Sequence, residues 1–219
     1  MGWLGLIVGS GLLGHEPELA GAEVLQRHGS GEYVPAHRID HAANLRGLVE
    51  RGCERVLAIS AVGSLDEDLG IGSLLCPDDF IALHLGCSAF LDERGHRVPG
   101  FDPDWRRAVL GSCSAAGLGP IVDGGTYWQA LGPRFETPAE IRLISPHADV
   151  IGMTVAAECI VAGELGLPYA ALCTVDNLAN GVGPQPLTVG EYEAGREANR
   201  ERLEEALPAL LEALEVAAR

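Results

Sequence analysis

The chain has 219 residues, 47% of them hydrophobic, and 31 acidic against 15 basic side chains give a formal charge of −16. That length supports one large core, and we expect a single domain over residues 1–219. The charge excludes a nucleic-acid polymer as partner because no Lys/Arg-rich stripe offsets it, and no apolar run approaches the roughly 18 residues that would enter a membrane as a span.

In chain order, Trp3 to Val8 predicts a buried strand running into Gly9-Ser10-Gly11. The start has no basic segment of a signal peptide, so the expected location is cytoplasmic. Val24 to Gln26 is a second strand, Ile39 to Arg51 a helix that stops at Gly52, and Val56 to Ser60 a third strand. Ala61-Val62-Gly63-Ser64 reads as a small-residue turn with free amides. Asp104 to Ala116 predicts a helix behind a proline, and Ile121 to Gly125 a strand. Pro138 to Ser145 is a helix, followed by strand Val150 to Thr154, helix Val155 to Leu165 and strand Tyr169 to Val175. Asn180 to Pro186 has two glycines and two prolines, which suits a mobile lid. Thr188 to Ala218 carries Leu203, Leu207, Leu210, Leu211 and Leu214 at helical spacing and predicts a long amphipathic helix that Pro208 kinks. The alternation implies an α/β fold. The six cysteines (Cys53, Cys76, Cys87, Cys113, Cys159, Cys173) have no CxxC pairs and sit among apolar neighbours, as buried hydrophobes do; we expect neither a zinc site nor a disulfide framework.

Polar residues collect just after the strands, at the sheet edge where open α/β sheets bind ligands. Gly9-Ser10-Gly11 is a tight turn or an anion loop; the full GxGxxG spacing is missing, which argues against a nucleotide cofactor. Arg27-His28-Gly29 offers a donor fork suited to phosphate oxygens, with a solvated surface Arg as the alternative. Ser60, Ala61 and Thr154 add hydroxyls and an amide at further strand ends. Convergence of four such ends on one anion explains them better than four unrelated turns. In Gly132-Pro133-Arg134-Phe135-Glu136-Thr137, Thr137 and Glu140 read as a capping box. Phe135 and Glu136, just before it, can cover a flat ligand and accept its N–H protons.

The segments VGSGL (Val8 to Leu12), QRHG (Gln26 to Gly29), PAHRIDHAANLRGL (Pro35 to Leu48), AVGSL (Ala61 to Leu65), PDDFI (Pro77 to Ile81), GPRFETPAEIR (Gly132 to Arg142), DVIGMT (Asp149 to Thr154) and CTVDN (Cys173 to Asn177) stand in this order. By them the chain resembles the trimeric purine-nucleoside phosphorylases and methylthioadenosine phosphorylases over nearly its whole length. The resemblance implies the nucleoside phosphorylase fold, a mixed, mostly parallel central sheet flanked by helices, and phosphorolysis of purine nucleosides, with inorganic phosphate as co-substrate and neither metal nor organic cofactor. It assigns phosphate to Ser10, Arg27, His28, Ser60, the Ala61 amide and Thr154. The nucleoside falls to Met153 at the ribose, Phe135, Glu136 and Asn177 at the purine, and Val189 with Leu187 and Thr188 at the 5′ end. Asn177, Glu136 and Arg27 would carry the catalysis.

It further implies a homotrimer in which a segment around Gly95 to Pro99, with Arg97 or Val98, closes the neighbour's site. Adenine-specific relatives have an aspartate at the position of Asn177 and another where this chain has Ala179. The amide therefore predicts 6-oxopurines, with Asp176 as an alternative base reader. Glu32, Leu131 and Val155-Ala156-Ala157-Glu158 depart from the family pattern. The competing readings are a nucleosidase that uses water and a nucleoside- or aromatic-ligand-binding protein without turnover.

Overall fold

The structure, a computed structural model, describes residues 3–9, 12, 21–184 and 187–217. The chain folds as alternating strands and helices: β1 (Trp3–Val8), β2 (Ala22–Gln26), α1 (His41–Glu50), β3 (Cys53–Ser64), β4 (Leu74–Cys76), β5 (Asp79–Ile81), α2 (Pro103–Ala115), β6 (Ile121–Asp123), β7 (Thr126–Gln129), α3 (Pro138–Ile144), β8 (Val150–Gly152), α4 (Val155–Leu165), β9 (Tyr169–Leu178) and α5 (Val189–Ala217). All nine strands join one sheet in the order β5-β7-β8-β3-β9-β4-β6, with β2-β1 attached to β3. Pairing is parallel except between β3 and β8 and between β4 and β9, which bears out the expected mixed, mostly parallel sheet.

Side chains alternate across a strand, so the central strands feed two cores. Ile7, Ala58, Ala171, Cys173 and Val175 pack with α1 and α4 on one face. Leu6, Leu57, Ile59, Ala170 and Leu172 meet α2 and α5 on the other, where Leu203, Leu207, Leu210, Leu211 and Leu214 are all buried. The predicted amphipathic tail is thus the outer layer of that second core, and the helix runs on through Pro208. Each cysteine is free; all but the half-buried Cys87 are buried.

β3 is where the sheet divides. Its first part, through Ile59, pairs with β1, whereas Gly63 and Ser64 pair on with β8. Ala61 to Ser64 is therefore strand, not the turn expected from its small residues, and its other edge is paired with β9 throughout. The stretch Ser60–Val62 lies between the end of β1 and the start of β8. An open edge in mid-sheet of this kind is where α/β proteins place ligands.

Candidate functional site

A cavity opens at that division. It is lined by the ends of β2, β3, β8 and β9, by the segment before α3 and by the start of α5, with Arg27, Ser60, Phe135, Met153, Asn177 and Tyr192 among the lining residues. Its empty space, mouth included, is about 1010 Å³.

Donors gather at one end. The Ile59 carbonyl accepts from the Gly9 N–H. By the two-residue alternation of a strand, the Ala61 N–H points the same way, past the end of β1. Ser60 is buried beside it, and Thr154, also buried, caps α4 without using its side chain for the cap. Two residues of β7 brace that turn. The Tyr127 hydroxyl accepts from the N–H groups of Thr154 (3.2 Å) and Val155 (3.4 Å). The Gln129 amide donates to the Met153 carbonyl (3.0 Å) and accepts from the Ala157 N–H (3.1 Å).

Arg27 is not the solvated surface residue of the alternative reading: it is 2% exposed. Its Nε and Nη2 donate to the Glu158 carboxylate at 2.5 and 2.9 Å, and Nη1 donates to the Ile59 carbonyl at 3.1 Å. Burial works against its charge, but Glu158 overrides this and raises its pKa further. His28 stacks on Tyr33, and its Nδ1 donates to the Val34 carbonyl at 2.8 Å. Burial lowers its pKa, which favours a neutral ring whose Nε2 is then an acceptor.

The other end suits a flat heteroaromatic ring. Phe135 meets Tyr192 edge-on at 5.5 Å. Gly132 has φ +66°, and a Cβ there would lie 2.5 Å from the Met153 sulfur, so only glycine lets this segment close on Met153. Thr137 and Glu140 form the predicted capping box, tied further by Arg134 donating to Glu140, which holds that carboxyl down at about 2. The box fixes where the chain turns into α3 and so where Phe135 and Glu136 stand. Burial raises the Glu136 pKa. Asn177 donates one amide hydrogen to the Leu178 carbonyl (2.8 Å), leaving one N–H and the carbonyl oxygen for a ligand.

The cavity thus gathers Arg27, His28, Ser60, Ala61, Thr154, Met153, Phe135, Glu136 and Asn177, all predicted from the sequence. Ser10 and its neighbour Gly11 lie outside the described residues, as do Gln185 and Pro186 of the proposed lid. Two expected contacts are corrected. Asp176 is the extra residue where the β3–β9 register steps from Val175 to Asn177; it is fully buried under α5, bonded to Thr174 (2.9 Å) and Asn199 (2.7 Å). Val189 is 66% exposed and outside the lining, where Leu187 and Tyr192 stand instead. Glu32 and Leu131 are exposed and outside it too. Tyr33, Tyr192 and the supports Glu158, Tyr127 and Gln129 were not anticipated. Nothing in the sequence singled out Glu158, since α4 carries a second carboxylate, Glu164.

Fold and site together define an α/β protein whose one cavity joins buried donors around Arg27, Ser60 and Thr154 to a second end formed by Phe135, Glu136 and Asn177. The sequence pattern of the phosphorylase superfamily matches residues 11–212, and the chain belongs to that family. It is 40% identical over 181 residues to a probable 6-oxopurine nucleoside phosphorylase of Archaeoglobus fulgidus, covering 82% of this chain and 74% of that one. It is 37% identical over 169 residues to a probable S-methyl-5'-thioinosine phosphorylase of Methanothermobacter thermautotrophicus, covering 76% of this chain and 59% of the relative. In structure it resembles the methylthioadenosine phosphorylase of Schistosoma mansoni in complex with adenine. There the TM-score is 0.81 at 21% identity, over 100% of this chain and 93% of the other, a likeness of fold.

Proposed function

We propose that the chain is a pentosyltransferase that splits purine nucleosides, including 5′-methylthio forms, with inorganic phosphate, and that it prefers 6-oxopurines. The observation that carries this reading is the joining of two half-sites in one cavity: Arg27, His28, Ser60, Ala61 and Thr154 at one end, Phe135, Glu136 and Asn177 at the other. Ser10 belongs to the phosphate set on the family resemblance.

In the reaction a phosphate oxygen bonds to C1′ as the C1′–N9 bond breaks, inverting the anomeric centre. The bonding pair leaves with the purine, which is protonated at N7 through solvent by the proton that hydrogen phosphate gives up on becoming the sugar 1-phosphate. Negative phosphate stabilises the cationic sugar, and Asn177 stabilises the departing base: its remaining N–H donates to O6 while its carbonyl accepts from N7–H. Glu136, as carboxylate, accepts from the N–H edge of the ring. Met153 packs against the ribose, and Tyr33, Tyr192 and Leu187 give the 5′ end an apolar wall suited to a methylthio group.

We further read the protein as a cytoplasmic homotrimer in purine salvage. Leu83, Leu91 and Val98, on the segment that holds Gly95 to Pro99 and Arg97, are exposed by 70, 105 and 98% in the single chain, which supports a partner surface there.

The test is base release from inosine, guanosine, adenosine and their 5′-methylthio analogues, with and without phosphate. Phosphate-dependent turnover led by the 6-oxopurines is expected. Release that ignores phosphate would favour a water-using nucleosidase, and tight binding without turnover a binding protein.

A further inference from the structure

Glu158 is 1% exposed, stands in the first turn of α4 and does not line the cavity, yet it makes the most demanding polar contacts near it. It accepts two hydrogen bonds from Arg27 and a third from the Tyr169 hydroxyl at 2.7 Å, with His41 Nδ1 at 3.9 Å. Among the described residues that buried His41 nitrogen has no hydrogen-bond partner. An ion pair buried this deeply is a poor way to add stability, because desolvation consumes most of the Coulomb gain. Its geometry has another consequence.

A guanidinium has five N–H donors. Glu158 takes two and the Ile59 carbonyl one, which leaves one hydrogen on each terminal nitrogen. Gly9 makes room for this arrangement, since a Cβ there would lie 2.3 Å from Arg27 Nη1. The Arg27 plane is therefore held by the Glu158 carboxylate and the Ile59 carbonyl, and Arg27 lines the cavity.

We propose that Glu158 is a positioning residue: it holds the Arg27 guanidinium in one plane, so that the two remaining N–H groups are set for phosphate before phosphate arrives. The phosphate ligand rests on the function proposed above; the orienting contact does not. Pre-orientation removes the entropy cost of ordering a long side chain at the moment of binding. Burial alone would raise the Glu158 pKa, but Arg27 outweighs it, aided by His41 and Tyr169, and keeps the carboxylate ionised.

The experiment measures inorganic phosphate binding by calorimetry on wild type, Glu158→Gln and Glu158→Asp, with kinetics and purine binding in parallel. Loosening a charge-assisted contact should weaken phosphate binding roughly ten- to a hundredfold in Glu158→Gln. Phosphate KM should rise by the same factor while purine binding and nucleoside KM change less than about twofold, and Glu158→Asp should recover part of the loss. A folded Glu158→Gln protein that binds phosphate like wild type overturns the proposal. In case neither variant folds, the Arg27 Nε–H resonance of the wild type decides. It should be sharp and slowly exchanging before phosphate is added; a signal that sharpens only with phosphate means that the ligand orders the fork. Phosphate binding with this Glu158 dependence, but without phosphorolysis, would leave the positioning intact and remove the proposed function.

Discussion

At the scale of single residues the site rests on what each group has left to offer once its internal bonds are made. Among the described residues Asn177 has one donor and one acceptor without a partner, which matches the 6-oxo, N7-protonated purine we propose. A carboxylate at that place only accepts, so Asn177→Asp should shift the preference toward adenine nucleosides by about 1–3 kcal/mol, roughly 5- to 150-fold in the ratio of kcat/KM values. An unchanged inosine-to-adenosine ratio would show that Asn177 does not read the base. In the reaction we propose, Glu136 accepts from the ring as the carboxylate. Because burial raises its pKa, the acid limb of kcat/KM should lie above the ordinary glutamate value of 4.5, with activity lost as pH falls through it. Glu136→Gln should lower kcat/KM and abolish that limb, and a limb that persists assigns it elsewhere. Arg27→Ala, by contrast, is a poor probe of phosphate binding. It would strand the Glu158 carboxylate in the core at a cost of about 3–5 kcal/mol, which mixes folding with function.

At the scale of elements, periodicity shows the long strands and helices and misses what is set by neighbours. Helix α4 spans the predicted Val155–Leu165, and α3 starts at the predicted proline. β4, β5 and β7 have three, three and four residues, too few for an alternation to register, and were unpredicted. Yet β7 carries Tyr127 and Gln129, which brace Thr154 and Met153. The continuation of β3 through Ser64 was hidden by Gly63 and its small neighbours, which resemble a turn until β8 and β9 supply partners. Site residues on motifs were legible; Glu158 and Tyr192 were not, because their roles come from contacts across the fold. Helix α5 shows such a contact: a Cβ on Gly195 would lie 1.8 Å from the Asp176 carbonyl. Gly195→Ala should therefore push α5 off β9, lower the Tm and, through Tyr192, raise the nucleoside KM more than the phosphate KM. A wild-type Tm with both constants unchanged would show that the helix tolerates the methyl.

At the scale of the whole molecule, a chain of charge −16 must take an anion against its own field. The cavity answers this locally, with oriented N–H groups and a guanidinium already balanced by Glu158. Among the described residues no helix is long and apolar enough to cross a membrane. Leu83, Leu91 and Val98 are exposed in the single chain, and the trimer we propose buries them against another copy. Sedimentation should give a trimer; a monomer with full activity would contradict the idea that a neighbour closes the site. The central claim, that phosphate attacks C1′ of a purine nucleoside, is tested most directly by phosphorus NMR of a reaction with inosine. A sugar 1-phosphate should form in equal amount to the hypoxanthine released. Hypoxanthine accompanied by free ribose, with the phosphate signal unchanged, would contradict it.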